Sequence, residues 1–132
     1  MREGDIVIAG HSLGGGVAVD LAALDGARGL VLEGTFTNLP DVAASHVPWL
    51  PVRALMLTSL NSLGKIPLYR GPLLQVHGDA DRIVPYSLGL RLHAAAGEPK
   101  EFVTVPDGNH NNLYTPEFVA ALDRFLTALP AD

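Results

Sequence analysis

The sequence predicts an α/β fold, in which a parallel sheet of about four strands is flanked by helices. Two observations indicate this fold class. Short apolar runs of strand type alternate along the chain with segments of helical pattern. The clearest run, residues 29–33, is a continuous apolar stretch that ends on Glu33, as in strands buried on both faces. The predicted strands are residues 5–9, 29–33, 72–77 and 101–105.

Three segments between and after these strands have a helical pattern. A helix over residues 14–24 follows the first strand and is rich in small residues, so that it can lie close to the sheet. A second helix is predicted over residues 87–96, with Gly97 at its end. The last helix begins with Thr115 as N-cap and Pro116 at its first position. One face of this helix is apolar, which predicts docking on the sheet: Phe118, Leu122, Phe125, Leu126 and Leu129.

The segment between the second and third strands, residues 36–70, departs from this alternation. Prolines interrupt it at positions 40, 48, 51 and 67. It is too long for a simple loop in a compact domain. We therefore predict a cap-like excursion with short helices over residues 41–46 and 52–60.

Composition limits the classes of function. The 132 residues predict one domain with a real core. A net charge of −5 without a cluster of Lys and Arg gives no indication of nucleic-acid binding. The presence of only two lysines argues against binding to an anionic membrane surface. The lack of cysteine excludes disulfides and a thiol nucleophile, and the five histidines lack metal-ligand spacing. No apolar stretch reaches membrane-spanning length and the N-terminal residues do not resemble a signal peptide, so we expect a cytoplasmic location.

The most informative stretch is residues 5–17, DIVIAGHSLGGGV. It places the motif G-x-S-x-G at a sharp turn between a strand and a helix, the arrangement called a nucleophile elbow. Ser12 stands at the tip of this turn, where the helix N-terminus favours developing negative charge. We expect side chains at positions 10 and 14 to collide, which explains Gly10 and Gly14, and His11 to pack beside the elbow.

A serine hydroxyl becomes a strong nucleophile only when a base takes its proton, and the base needs an acid that orients it. Candidates of each kind follow the carboxyl ends of strands, where open α/β sheets bind ligands. Ser12 follows the first strand, Asp81 the third and His110 the fourth. Two other carboxylates stay open as the acid: Asp79 in the same loop as Asp81, and Glu33 at the end of the second strand.

Three sequence blocks carry a resemblance to a known family. GHSLGG at residues 10–15, HGDADRIVP at 77–85 and GNHN at 108–111 resemble the serine-hydrolase branch of the α/β-hydrolase superfamily, which contains serine aminopeptidase-like and dienelactone-hydrolase-like esterases. LEGTFT at 32–37 resembles the segment that enters the cap in that group, so the resemblance covers nearly the whole chain. The pattern H-G-x-x-D-x-x-V-P implies that Asp81 is the acid.

The resemblance implies hydrolysis of a carboxylic ester or a related acyl bond of a small molecule through an acyl-serine intermediate. Peptidase, thioesterase and acyltransferase chemistry on the same triad remain alternatives. No metal or cofactor is implied. The apolar excursion is expected to shape a pocket for a small or medium-sized acyl group, with five residues as candidates: Phe36, Trp49, Leu50, Ile83 and Val84.

The oxyanion of an acyl-transfer intermediate needs N–H donors, and the resemblance implies the backbone N–H of Leu13 as one of them. A second donor normally comes from a loop after an earlier strand, and we find no such loop motif in these residues. The chain is therefore expected to correspond to the C-terminal half of a hydrolase, with the apolar edge of residues 5–9 available for self-association. An inactive remnant, or a domain that works only beside another chain, is the alternative from a different class.

Overall fold

A computed structural model describes residues 3–131, so that residues 1, 2 and 132 of the predicted domain lie outside the described residues. The strands β1 (Val7–His11), β2 (Gly29–Glu33), β3 (Leu73–Gly78) and β4 (Lys100–Val105) form one sheet in chain order. All three pairings are parallel. The predicted fold class, a four-stranded parallel sheet with flanking helices, is confirmed.

Six helices flank the sheet in the part of the chain that the structure describes. They are α1 (Leu13–Asp25), α2 (Leu39–His46), α3 (Val52–Leu55), α4 (Ser62–Lys65), α5 (Tyr86–Ala95) and α6 (Pro116–Ala128). The hydroxyl of Thr115 accepts the N–H of Phe118, which confirms the predicted N-cap of α6. The predicted helix over residues 52–60 is wrong, because the chain turns to extended backbone at Met56.

The strand β2 contributes to the core on both faces of the sheet. Leu30 and Leu32 belong to an apolar cluster with α1 and α5. Val31 faces the opposite cluster, in which Phe118 of α6 is fully buried. The predicted docking of α6 on the sheet is confirmed, although Leu126 is 47% exposed and lies outside this contact.

The excursion packs on α5 through a third apolar cluster and one partly buried carboxylate. The carboxylate of Asp41 in α2 accepts a hydrogen bond from the hydroxyl of Thr37 and pairs with the guanidinium groups of Arg53 and Arg91. Burial raises the pKa of Asp41, but the hydrogen bonds from Thr37 and Arg53 outweigh burial and hold this pKa below its usual value. These contacts fix α2 against α3 and α5.

Within residues 3–131 the strand β1 is an edge of the sheet, and no other strand of this part of the chain pairs with the side of its backbone that faces away from β2. Ile6 and Val7 are exposed there, as are Val17, Leu21 and Leu24 on α1. The molecule thus presents an apolar strip along β1 and α1. None of the helices within residues 3–131 has the length and apolarity that crossing a bilayer requires.

Candidate active site

Ser12 lies between β1 and α1 with φ 53° and ψ −118°, a conformation that residues with a side chain rarely adopt. Its backbone N–H donates to the carbonyl oxygen of Glu33 at 2.9 Å. Its carbonyl oxygen accepts the N–H of Gly15 at 3.0 Å and the hydroxyl of Thr35 at 2.9 Å. Backbone contacts on both sides of Ser12 therefore hold the sharp turn that the sequence predicts.

Two glycines at the elbow are explained by close approach of other atoms. A Cβ atom at Gly10 would lie 2.5 Å from the carbonyl oxygen of Gly14 and 2.8 Å from the Cβ of Ala18. A Cβ atom at Gly15 would overlap with the side chain of Thr35. The expected collision at Gly14 is wrong, because a Cβ atom there would meet no described atom within 4 Å.

Asp81 is the carboxylate that reaches His110. Its Oδ2 accepts a hydrogen bond from Nδ1 of His110 at 2.8 Å, and its side chain is fully buried. Its Oδ1 accepts the backbone N–H groups of Ile83 and Val84, each at 2.8 Å. Three donors thus orient this carboxylate.

The two other candidate acids have different partners. Oδ1 of Asp79 accepts the backbone N–H of Asp107 at 2.7 Å, which closes the turn after β4. Oε1 of Glu33 accepts the hydroxyl of Tyr114 at 2.6 Å. This hydrogen bond, together with burial, raises the pKa of Tyr114 to about 12. Of the three carboxylates, Asp81 alone hydrogen-bonds to the His110 ring in the described chain.

The ring of His110 is oriented with Nε2 as its basic nitrogen. Because Nδ1 donates to Asp81, the neutral imidazole carries its proton there and leaves Nε2 as an acceptor. The ring lies beside Gly34, since a Cβ atom at that glycine would be 3.5 Å from Nδ1. Ser12 Oγ and the His110 ring are not hydrogen-bonded to each other within residues 3–131, and such contacts in ligand-free sites often form only with substrate.

Two further histidines adjoin the site. Nε2 of His11 donates to the backbone carbonyl of His110 at 3.0 Å, and the two ring centroids lie 4.9 Å apart. His77 is fully buried, and its Nε2 donates to the carbonyl of Val84 at 2.9 Å and lies 3.4 Å from Oδ2 of Asp81. Burial lowers the pKa of His77, so the ring is neutral near pH 7.

Leu13 is the first residue of α1, where backbone N–H groups have no acceptor within the helix. Its N–H therefore adjoins Ser12 as a candidate oxyanion donor. No group of three His, Asp or Glu side chains is arranged to bind a metal ion in the described part of the chain.

A cavity of about 350 Å³ adjoins His110, and it is not the predicted acyl pocket. It is lined by Ala80, Arg82, Ile83, Asn109, His110 and Asn111. Of the five predicted pocket residues only Ile83 lines it. Phe36 and Val84 are buried against α5 and the excursion, whereas Trp49 is 78% exposed and Leu50 is also exposed. Phe36 packs on the domain itself whereas Trp49 and Leu50 face solvent, so the structure does not bring these five together.

Comparisons with known proteins give the fold a name. No protein-family model matches the sequence. The uncharacterized protein Rv2307c of Mycobacterium tuberculosis is 44% identical over 124 residues, which are 89% of this chain and 43% of that protein. The α/β hydrolase domain-containing protein 17B of Xenopus tropicalis is 27% identical over 129 residues, 96% of this chain and 43% of that protein. The solved acetyl xylan esterase of Paenibacillus sp. R4 matches with a TM-score of 0.79 at 20% identity, covering 97% of this chain and 46% of that chain.

The chain has the α/β-hydrolase fold. The resemblance that the three sequence blocks carry is thereby confirmed at the level of the fold. Within it, β1 and α1 form the strand and helix on either side of Ser12. The chain spans less than half the length of the curated relatives named above.

Sequence reasoning missed two contacts of the candidate site. The hydroxyl of Thr35 holds the carbonyl of Ser12, and the ring of His11 holds the backbone of His110. A signal for Thr35 existed: it follows β2 by two residues, at the same sheet edge as Ser12. No signal in the sequence indicated which atoms His11 would contact, because its partner lies 99 residues away.

Proposed function

We propose that this chain carries the catalytic triad of a serine hydrolase, with Ser12 as nucleophile, His110 as general base and acid, and Asp81 as the orienting carboxylate. One observation carries the proposal. The Asp81–His110 hydrogen bond of 2.8 Å lies at the sheet edge where Ser12 occupies its positive-φ turn. This combination of elbow, imidazole and buried carboxylate in the chain order Ser, Asp, His is the one that α/β-hydrolases use.

The chemistry follows from the orientation of the His110 ring. Nε2 takes the proton of Ser12 Oγ as the oxygen attacks the acyl carbon, and the N–H of Leu13 stabilises the negative oxygen of the tetrahedral intermediate. The intermediate collapses when Nε2 returns its proton to the leaving oxygen, which departs as an alcohol. The remaining acyl-serine is hydrolysed by a water molecule that His110 deprotonates. A second tetrahedral intermediate then releases the acid and restores Ser12.

Asp81 has two tasks in this sequence. Its hydrogen bond to Nδ1 fixes the tautomer in which Nε2 is basic, and its negative charge stabilises the imidazolium that forms when Nε2 is protonated. The N–H groups of Ile83 and Val84 hold the carboxylate in place. The acid is thereby oriented before substrate arrives.

The proposed substrate is a carboxylic ester or a related acyl compound. The esterase name of the solved neighbour supports this bond type. Leu13 is the one candidate oxyanion donor that we identify in the described residues, and this supports the competing proposal that the chain is inert by itself. Removing one donor of an oxyanion hole typically costs about two to three powers of ten in turnover.

Labelling with a fluorophosphonate probe tests the proposal, because such probes react with serines that a base and an oxyanion site have activated. The purified chain, Ser12→Ala and Ser87→Ala are compared, with circular dichroism to confirm folding. Ser87 is an exposed serine of α5 and serves as the matched control. We expect labelling of the wild type and of Ser87→Ala, and none of Ser12→Ala. A folded wild type that does not react would contradict a working triad in this chain, and labelled Ser12→Ala would exclude Ser12 as nucleophile.

A further inference from the structure

Thr35 is a fully buried polar residue that the proposed mechanism does not use. It follows β2, and its side chain has 0% exposure. Its hydroxyl donates to the carbonyl oxygen of Ser12 at 2.9 Å, across 23 residues of sequence. A buried threonine hydroxyl thus donates a hydrogen bond to the backbone of the proposed nucleophile.

The conformation of Ser12 explains why such a contact is needed. A positive-φ backbone of this kind is strained and persists only when its surroundings over-determine it. On the amino side, the N–H of Ser12 donates to the carbonyl of Glu33. On the carbonyl side, Thr35 supplies a side-chain donor beyond the helical N–H of Gly15. Glu33 and Thr35, at the end of β2 and just after it, therefore hydrogen-bond to the N–H and the carbonyl oxygen of Ser12.

The close packing of Gly15 on Thr35 indicates that this contact is built into the fold. A Cβ atom at position 15 would overlap with Oγ1, Cβ and Cγ2 of Thr35. The G-x-S-x-G motif does not include this third glycine. Its lack of a side chain allows Thr35 to come within hydrogen-bonding distance of Ser12.

We propose that Thr35 is a positioning residue, which fixes the backbone of Ser12 so that Oγ is presented to His110. This role rests on the proposed function, since it is a role in the acylation of Ser12. Thr35 contacts neither substrate nor the reacting atoms. It acts through the carbonyl of Ser12 alone.

Thr37 provides a matched control two residues further along the chain. It is also a threonine with 0% exposure, and its hydroxyl also donates a hydrogen bond, to Oδ2 of Asp41 in the excursion. Replacing either threonine by the isosteric valine removes one buried hydroxyl. Only Thr35→Val removes a contact to Ser12.

The test compares wild type, Thr35→Val, Thr35→Ser and Thr37→Val by urea unfolding, by the rate constant of fluorophosphonate labelling, and by kcat and KM on a p-nitrophenyl ester. We expect Thr35→Val to label about tenfold more slowly, the factor that corresponds to one ordinary hydrogen bond lost in the transition state. Its kcat falls with KM unchanged. Thr35→Ser keeps the hydroxyl that donates to Ser12, so its labelling rate constant should stay within about threefold of wild type. Thr37→Val removes a hydroxyl that does not contact Ser12, so its labelling rate constant should stay within about twofold. Thr35→Ala replaces Thr35→Val if the valine variant does not fold.

The outcomes separate this role from the proposed function. If wild type is labelled and folded Thr35→Val is labelled equally fast, or if Thr37→Val is slowed as much, the positioning role is overturned while the triad stands. If wild type is not labelled, the proposed function fails. Hydrogen exchange of the amides of residues 12–16 then decides about Thr35. We expect faster exchange in Thr35→Val than in Thr37→Val, and equal exchange would overturn the positioning role.

Discussion

Nε2 of His11 donates a hydrogen bond to the backbone carbonyl oxygen of His110, with 3.0 Å between the two atoms. The contact joins the elbow at the end of β1 to the loop after β4. These two strands are the first and the last in the order of the sheet. The hydroxyl of Tyr114 on Glu33, the Asp81–His110 hydrogen bond and the Asp79 carboxylate on the N–H of Asp107 also hold this loop. His11 and Glu33 are themselves paired in the register of β1 and β2.

Removing the His11 ring should therefore loosen the base rather than the nucleophile. For His11→Ala we expect kcat/KM on an activated ester to fall by roughly threefold to tenfold, the range of one net hydrogen bond. His11→Gln retains an N–H donor and should lose less. The two variants are compared with wild type in steady-state kinetics. An unchanged kcat/KM in His11→Ala would show that the loop holds His110 without this contact.

Replacement of the two loop aspartates distinguishes their roles. If the proposed triad operates, Asp81→Asn presents an amide to Nδ1 of His110, favours the wrong tautomer, and should lower kcat by about three to four powers of ten. Asp79→Asn affects the turn to Asp107 and should lower kcat less than about tenfold, the scale of one net hydrogen bond. Steady-state kinetics on an activated ester measures kcat for both variants. The reverse order of effects would assign the acid to Asp79.

Gly14 and Gly15 should respond in opposite ways to alanine. Gly14→Ala meets open space in this chain and gains helix propensity, so the free energy of unfolding should stay equal or rise by up to about 1 kcal/mol. The alanine side chain of Gly15→Ala would overlap with Thr35 and should lower the free energy of unfolding by about 1–3 kcal/mol. Urea denaturation of the 132-residue chain measures both. Equal midpoints for the two variants would contradict the packing of Gly15 on Thr35.

Mild acid should destabilise the fold through His77. Burial lowers the pKa of His77 in the folded chain, with Val84 and Asp81 opposing the shift and His110 adding to it. The unfolded chain, with a histidine pKa near 6.5, then binds more protons than the folded chain below that pH. Stability is complete above about pH 6.5 and falls as the pH decreases towards the lowered folded pKa.

Urea midpoints at pH 7.5, 6.5 and 5.5 test this dependence. We expect a decrease from pH 7.5 to 5.5 that is smaller in His77→Gln, because glutamine keeps a donor for the Val84 carbonyl but does not titrate. His46→Gln, at an exposed histidine that donates to the carbonyl of Ile83, is the control. A wild-type midpoint that does not change with pH would show that His77 is protonated in the folded chain as readily as in the unfolded chain.

The exposed edge of β1 should cause self-association of this chain. Edge strands with apolar side chains and free backbone groups pair with other strands, and a charge placed on them prevents it. We expect sedimentation velocity to show a concentration-dependent larger species for wild type, and its loss in Val7→Lys. Val119→Lys, at an exposed valine of α6, is the control and should leave the distribution as in wild type. A wild type that is monomeric at all concentrations would refute the proposal.

The sequence predicted elements best where local pattern and tertiary role coincide. The bounds of β2 were predicted correctly, because a continuous apolar run buried on both faces leaves little freedom of register. The bounds of β1 were placed two residues too early, since Gly10 and His11 extend the strand only through pairing with Leu32 and Glu33. The pattern of the loop after β3 favoured Asp81 among the candidate acids, and Asp81 is the one that hydrogen-bonds to His110. The residues of the acyl pocket are harder to predict, because apolar composition does not reveal whether Phe36 packs on its own domain or lines a cavity.

The strand order along the sheet equals the order of synthesis. As the polypeptide leaves the ribosome, β1 can pair with β2 at once, β3 can then add to β2, and β4 to β3, so that no strand waits for a distant partner. The loop that carries His110 emerges after all four strands. Among the described residues, the segment of Ser12 is therefore made before the segment of His110, and the proposed Ser12–His110 pair can form only after all four strands have been synthesised.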